Sequence, residues 1–354
     1  LHTPHSTLPT PHSPLHTPMP LRIGLIYDVF DDYPWQPDDP PDADAEYEPE
    51  ATVDALADAV TALGHTPVRV GTAFDLQEHL ANGLRLDAAI NITEGARSRN
   101  REAYAPILLE MAGIPCLGSD ALTLSLTLDK AWTKNIVSAA GIPTPDHRVY
   151  RSASDIEPDN LPAFPLFAKP RYEGSSKGIT VQSRIETVEA LRERVHALST
   201  TYQQDVLVES LVAGGGEFTV AVVGHNPPRA LPVLQRAVEP TTRIGLHALE
   251  HRGAPTGEWE YTLGGTLDAD LEDHLQHLTL RLFDVLECRD FARADFRVDD
   301  NGSPFFLEVN PLPTFAPDGT FAIIAEWMNR SYPDLLADIF SDGLRRLGVM
   351  PHTV

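Results

Sequence analysis

Between Leu21 and about Thr127 the sequence alternates short apolar runs with amphipathic ones, and this alternation restricts the fold more than any other feature. LRIGLIY reads as a buried strand, and PEATVDALADAVTALG as an amphipathic helix closing at Gly64. PVRVG and LDAAIN read as short strands, and NREAYAPILLEMAG as a helix ending at Gly113. Strands alternating with helices predict an open parallel sheet covered by helices, an α/β architecture. Such sheets carry function at the carboxyl ends of their strands. Here those ends are Asp28 to Tyr33 and Asn91 to Arg101.

The pattern changes after Thr127. GSDALTLSLTLDKAWTKNIVSAAGIPTP contains a helix from about Asp129 to Ala140, stopped by Gly141 and Pro143. FPLFAKPRYEGSSKGITVQ reads as two strands, Pro165 to Lys169 and Gly178 to Gln182, flanking a Gly/Ser loop. Such a loop can aim successive N–H groups and two hydroxyls at a phosphate; a plain β-hairpin is the alternative. It is not a Walker A loop, because the order G-x-x-x-x-G-K-S is missing. A helix from about Ile185 to Leu198 leads to strand DVLVES, a GGG turn and strand EFTVAVVG. In the helix beginning near Asp268, Leu271, Leu275, Leu278, Leu282 and Leu286 form a core stripe.

Residues 1–19 repeat His, Thr, Ser and Pro and cannot build a core. They lack the basic start and apolar middle of a secretory signal, so Met19, just before PLRIGLIYD, is the expected native start. No apolar run reaches the length of a membrane span, and 42% hydrophobic residues suffice for a real core. Two cysteines, Cys116 and Cys288, exclude a disulfide framework and a Cys-based zinc site, which fits the reducing cytoplasm. A net charge of −24 leaves no basic footprint for nucleic acid. A bound polyanion must then be held by local cations and metal. Ten acidic residues lie between Asp28 and Glu50 with no Lys or Arg among them, which reads as a solvated acidic loop.

Of 27 basic residues only four are lysine, and Lys130, Lys134, Lys169 and Lys177 all fall in one central stretch. Biased usage is one reading; positions that need a compact ammonium beside a phosphate are the other. Lys130 opens its helix, where a cation opposes the helix dipole and an anion drawn to the same end would account for it. Lys134, one turn later, reads as a surface residue.

FARADFRVDDNGSPFFLEVN is the strongest constellation. Asn301-Gly302 between apolar-rich runs predicts a hairpin with a two-residue loop. Asp300 then pairs with Ser303, Asp299 with Pro304, Phe296 with Leu307, Asp295 with Glu308 and Arg293 with Asn310. Alternation puts Arg293, Asp295, Glu308 and Asn310 on one face and Phe296, Val298, Phe305 and Leu307, or their neighbours depending on local twist, on the other. Two carboxylates opposed across a ladder repel, so folding alone would avoid them. With the Asn310 amide they form an all-oxygen donor set suited to Mg²⁺, and Arg293 can stabilise charge developing beside it. A solvated polar hairpin face is the alternative.

These segments, with LGSDALTLSLTLDKAWTK, GIPTP, VLVESLVAGGGEFTVAVVG and FFLEVNPLP, resemble the ATP-grasp superfamily, and within it the D-alanine–D-alanine ligase family. The matches run in family order from about Cys116 onward. The resemblance implies an ATP-grasp fold behind an N-terminal Rossmann-like α/β domain. It divides the chain into a tail (1–19), an N-terminal domain (20–127), a central subdomain (128–216) and a C-terminal subdomain with the metal site (217–350). Lys130 and Lys169 would contact ATP phosphates. Residues Glu173 to Gly178 would form a glycine-rich lid, with Glu173 and Gly174 contacting ATP and Ser175 and Ser176 near phosphates or substrate. Leu207, Val208 and Glu209 would meet adenine, and Glu217 the ribose. Asp295, Glu308 and Asn310 would bind two Mg²⁺, with Mn²⁺ a substitute. Arg293 would stabilise a tetrahedral intermediate.

The implied reaction is carboxylate–amine ligation through an acylphosphate, with D-alanyl-D-alanine formation for peptidoglycan as the family default. Small amino acids or carboxylates would be the substrates, without nucleic acid or membrane, and a homodimer is compatible. A relative joining another amino acid to a peptide or mycosporine-type scaffold is the runner-up, and a non-catalytic nucleotide-binding regulator the reading of another class. Three departures concern the substrate half. The family's G-G-x-S-x-E is replaced by YDVFDDYPWQ, where Asp28, Asp31 or Asp32 would have to hold the substrate amine. H-G-x-x-G-E-D-G is replaced by TEGARSRNRE, whose Glu94, Arg97, Arg99 and Arg101 could hold an extra carboxylate. L-P-G becomes Leu312-Pro313-Thr314, which alters the acceptor's surroundings. Lys177 occupies a lid position the family does not reserve for lysine.

Overall fold

The computed structural model describes residues 19–214, 216–238, 262–263 and 267–351. Apart from Met19, the expected N-terminal tail lies outside the described residues, as does Gly215 of the GGG turn.

Strand β1 (Arg22–Tyr27), helix α1 (Glu50–Ala62), β2 (Thr66–Gly71), α2 (Ala73–Ala81), β3 (Ala88–Ile92), α3 (Tyr104–Met111), β4 (Cys116–Leu117) and α4 (Ala121–Leu128) alternate as the sequence requires. The four strands form a parallel sheet in the order β2-β1-β3-β4. Helix α2 starts on a reciprocal cap between Thr72 and Asp75, which satisfies backbone donors that the helix leaves free. Ile26, Val70, Leu76 and Leu109 pack one face of the sheet. Ile23, Leu25 and Ile90 pack the other against α1 and two helices from the far end of the chain, Thr320–Trp327 and Tyr332–Arg346. Burial on both faces is what a parallel sheet needs.

Helix α5 (Lys130–Ala139), capped by Asp129, leads to β5 (His147–Tyr150), β6 (Leu166–Pro170), β7 (Arg184–Ile185), α6 (Val188–Tyr202) and β8 (Val206–Ser210). The strands form an antiparallel sheet, β5-β8-β6-β7. Leu191, Val195 and Leu198 of α6 cover the face carrying Leu166, Ala168, Val206 and Val208. The strand expected over Gly178 to Gln182 does not form. Thr180 and Ser183 instead cap a 3-10 turn at Val181–Ser183, and only Arg184 and Ile185 pair with β6. Ser and Thr side chains that bond nearby backbone compete with a ladder in this way.

The C-terminal sheet is built from β9 (Gly216–Val223), β10 (Arg229–Ala230), β11 (Leu234–Val238), β12 (Thr262–Leu263), β13 (Phe291–Val298) and β14 (Pro304–Asn310). Its order is β12-β11-β9-β13-β14, with β10 also on β9. Helix α7 (Ala269–Val285) precedes β13, and α8 (Thr320–Trp327) and α9 (Tyr332–Arg346) follow β14. Leu275, Leu278 and Leu282 of α7 pack on Phe218, Val220, Phe296 and Phe306, joined by Val137 of α5. Each such side chain contributes about 1.5–3 kcal/mol on burial. Among the described residues no helix is long and apolar enough to cross a membrane.

The β13–β14 hairpin differs from expectation in two places that cancel. Asp299 N bonds Ser303 O, so residues 300–302 form a three-residue loop rather than Asn301-Gly302 alone. Asp299 Oδ1 accepts from the N–H groups of both Asn301 and Ser303 and organises it. Asp300 thus has no partner in Ser303. Val298, Arg297 and Phe296 pair with Pro304, Phe305 and Phe306, one residue off the expected register. A bulge between Asp295 and Phe296 then restores it: Asp295 faces Glu308 and Arg293 faces Asn310. The core face consequently carries Phe306 and Val309 with Phe296 and Val298, not Phe305 and Leu307.

Candidate active site

The uncovered faces of the two antiparallel sheets meet. On the C-terminal sheet, Asp295 and Glu308 lie opposite one another, with the Arg293–Asn310 pair two residues along. Thr219 of β9 donates to Asp295 Oδ1 at 2.5 Å, and Arg293 Nη2 donates to Asp295 Oδ2 at 3.3 Å. Arg236 of β11 stands 3.4 Å from Glu217 and 3.6 Å from Asp295. A bulge sets two consecutive residues against one on the partner, and Leu307 and Glu308 both face the cleft.

From the central sheet, Lys169 reaches 3.5 Å from Glu308 and 3.4 Å from Glu209. Lys130, at the first position of α5, lies 3.8 Å from Glu308, and its ammonium donates to the carbonyl of Glu173. Lys134 is not a surface residue. Its side chain is fully buried, 2.8 Å from Glu209 Oε2, and it donates to Thr144 Oγ1 and Phe306 O. Burial lowers its pKa to about 8 against the pull of Glu209. Burial also opposes charge on Lys169, but Glu209 and Glu308 win and raise it to about 12. Burial works against the Glu209 carboxylate too, and the two ammonium groups outweigh it and hold its pKa low.

Two pockets open from this junction. The smaller, of about 550 Å³, has an apolar wall of Phe167, Ile179, Leu211 and Leu307, with Glu209 and Glu217 at its polar positions. Leu207 and Val208 do not line it: Val208 points into the core under α6 and Leu207 is wholly buried. Alternation turns Val208 away from the face of Glu209, and Ser210, Leu211 and Val212, at and just beyond the end of β8, line the pocket with Glu209. The larger, of about 1240 Å³, is lined by Lys130, Arg293, Asn310 and Leu312-Pro313-Thr314, with Glu46, Glu48, Glu94 and Glu102 around them. Glu308 lines both pockets. Above it, Ser175 faces the larger pocket and Ser176 the smaller. Both serines take left-handed backbone, φ 44° and 54°, a conformation that non-glycine residues adopt at a cost and often at functional loops.

The acidic segment is not a solvated loop. Glu46, 9% exposed, accepts from Arg101 Nη2 at 2.6 Å, Gly174 N at 2.6 Å and Lys177 Nζ at 2.9 Å. Burial opposes that charge, but Arg101 and Lys177 hold its pKa at about 2. Asp42 accepts from Gly178 N and Tyr202 Oη. Lys177 also pairs with Glu173, which accepts from Gln204 as well. Residues 42–46 thereby clamp the lid. A side chain at Gly174 would collide with Glu46 Oε1, 2.6 Å from an added Cβ.

Other substrate-half expectations change as well. Asp28 is buried and accepts from the N–H groups of Glu94 and Gly95, tying β1 to the loop after β3, while Asp31 and Asp32 are exposed. None of the three lines the larger pocket. Arg97 is spent on Asp39 and Pro34 O. Arg99 lies over Trp132 and Tyr172 outside the pocket, and Arg101 is taken by Glu46. Glu46, Glu48 and Glu102, absent from the sequence reading, are the carboxylates placed there with Glu94. The density of acids without cations over 28–50 was the one sequence signal for Glu46 and Glu48, and it does not extend to Glu102.

The D-ala D-ala ligase C-terminus family model matches residues 136–341, a segment that contains Lys169, the loop 173–178 and strands β13 and β14. The chain belongs to the D-alanine–D-alanine ligase family. It is 31% identical to an uncharacterized protein, y4sG, of Sinorhizobium fredii over 72% of this chain and 74% of that one. It is 31% identical to a D-alanine–D-alanine ligase of Desulforamulus reducens over 80% of this chain and 89% of that one. The fold matches crystal structures of the Bacillus anthracis D-alanine–D-alanine ligase complexed with ATP (TM-score 0.67, 22% identity, 93% and 99% coverage) and of the Enterococcus faecalis VanG D-Ala:D-Ser ligase (TM-score 0.66, 18% identity, 91% and 99% coverage). Those likenesses establish the ATP-grasp fold, with its parallel N-terminal sheet and two antiparallel sheets.

Proposed function

We propose that this family member is an ATP-dependent ligase joining the carboxylate of one amino acid to the amine of another, with D-alanine as the family's default for both. The observation that carries it is Glu308, which lines both the apolar-walled pocket and the larger pocket, with Lys130 and Lys169 beside it.

In this reading the apolar wall takes adenine and Glu217 the ribose, so the phosphates run toward Lys169, Lys130 and the serines of the lid. Asp295, Glu308 and Asn310 offer two carboxylates and one amide oxygen, a donor set that fits magnesium with water and phosphate completing its shell; among the described residues no third Asp, Glu, His or Cys joins them. Bound magnesium would neutralise phosphate charge there. Lys130 and Lys169 counter charge on the transferring phosphoryl group as the substrate carboxylate oxygen attacks the γ-phosphorus and ADP leaves. The second substrate's amine then attacks the acyl carbon, and phosphate departs with the former carboxylate oxygen. Arg293, beside Asn310 at the pocket wall, is placed to meet the oxyanion of that addition. The clamped lid keeps water from the acylphosphate.

The test is phosphate release and product mass with ATP, Mg²⁺ and amino-acid pools. Glu308→Gln and Asp295→Asn should abolish turnover while circular dichroism and melting stay near those of the parent. Near-normal activity in either variant removes the metal assignment.

A further inference from the structure

The carboxylates around the larger pocket are unequally matched. Glu46 is met by Arg101 and Lys177, and Glu308 by Lys130 and Lys169. Glu48 accepts the hydroxyls of Thr52 and Thr314. Glu94 and Glu102 differ: among the described residues no hydrogen bond or ion pair reaches either carboxylate, yet both line the cavity. Glu102 is only 7% exposed. A carboxylate removed from water without a partner costs several kcal/mol, and two together repel as well. Nothing in the local fold requires them. Glu94 sits on a loop anchored through its backbone by Asp28, and Glu102 on the 3-10 turn Arg101–Ala103, whose neighbour Arg101 is already engaged. Burial pushes both pKa values above the ordinary range; Glu102 and Glu46 push that of Glu94 further, while Arg101 opposes the rise at Glu102 and Glu46 adds to it.

Arg101, already paired with Glu46, offsets their charge only in part, so the pocket is short of positive charge. An amino acid with a neutral side chain supplies one ammonium, while neither Glu94 nor Glu102 has an ion-pair partner among the described residues. Its carboxylate is committed to the other end, near Lys130 and Arg293. We propose that Glu94 and Glu102 form an ammonium subsite, and that the carboxylate-donating substrate is a diamino acid whose side-chain amine they hold. This deepens the ligase reading above and rests on it for which substrate is the donor. The cation subsite itself is a statement about binding.

Binding and turnover separate the two. The full chain, saturated with Mg²⁺ and a non-hydrolysable ATP analogue, would be titrated calorimetrically with alanine, 2,3-diaminopropionate, ornithine and lysine in both enantiomers. At least one diamino acid should bind about tenfold or more tighter than alanine of the same hand. Glu102→Gln and Glu94→Gln should each weaken that diamino acid by about tenfold and leave alanine within about twofold. Glutamine keeps the shape and removes a repelling charge, and melting curves of both variants verify the fold. Alanine binding as tightly as every diamino acid, equal weakening of both classes, or binding of neither overturns the proposal. Selective diamino-acid binding without phosphate release from ATP overturns the ligase reading and leaves the subsite standing.

Discussion

Lys134 and Glu209 show how a single side chain can be structural within a site otherwise devoted to ligands. The Lys134 ammonium has three partners, Glu209, Thr144 and Phe306 O, and no exposure. It fixes the carboxylate that Lys169 also contacts, and so sets the polar end of the smaller pocket. Removing one member of a buried pair leaves the other's charge uncompensated, at about 3–5 kcal/mol when nothing else answers it. Lys169 remains 3.4 Å from Glu209, so Lys134→Met should cost about 2–3 kcal/mol. Denaturant titration checks this. A midpoint equal to the parent's would restore the surface reading, for which about 0.5 kcal/mol or less is expected.

At the scale of elements, two connections decide the site. The β13–β14 hairpin has a loop one residue longer than its Asn-Gly predicts, and the Leu307 bulge compensates, so Asp295 and Glu308 still face one another. The lid between β6 and β7 has few apolar contacts of its own and is held mainly by charge, through Lys177 and Gly174 on Glu46 and Gly178 on Asp42. Lys177→Met should release it while leaving Glu46 paired with Arg101. Expected outcomes are faster proteolytic cleavage within 171–183, a higher KM for ATP and a melting temperature changed less than for Lys134→Met. Gly174→Ala should act in the same direction, because its methyl group meets Glu46. Unchanged cleavage in both variants would show that the clamp does not hold the lid.

For the whole molecule, the three sheets are joined across charge as well as through a core, and pH should act on that junction in two opposite windows. The Glu46 pKa falls from 4.5 to about 2 in the fold. Its contribution is present above about 4.5 and is lost as pH drops toward 2, amounting to about 3 kcal/mol. The Glu102 pKa is raised from 4.5 to about 7, by burial first and then by Glu46 and Glu173 against Arg101 and Lys130. A raised carboxylate binds more protons folded than unfolded, so it lowers stability as pH rises from about 4.5 through 7. Glu102→Gln should therefore melt close to the parent at pH 5 and above it at pH 8, by calorimetry without ligand. A constant difference across that range would place the Glu102 carboxyl in an ordinary environment.

Periodicity determined the parallel N-terminal sheet and the leucine stripe of α7, because apolar spacing along one segment reports which face that segment must bury, and the Asn-Gly between apolar runs determined that β13 and β14 form a hairpin. Family-like motifs brought Lys130, Lys169, Glu209, Glu217, Asp295, Glu308 and Asn310 to one place for the same reason: each lies on a regular element whose direction the sequence sets locally. Tertiary structure decided what depends on residues far apart in the chain. Nothing within LDKAWTKN says that Lys134 will meet Glu209, 75 residues on. Nor does an acid-rich run say that Glu46 will close on a lid 128 residues away. Charged side chains carry no period, and their partners are chosen by packing between sheets. Glu46, Glu48 and Glu102, which line the larger pocket with Glu94, consequently came into view only when the loops after β1 and β3 were brought against the segment 173–178.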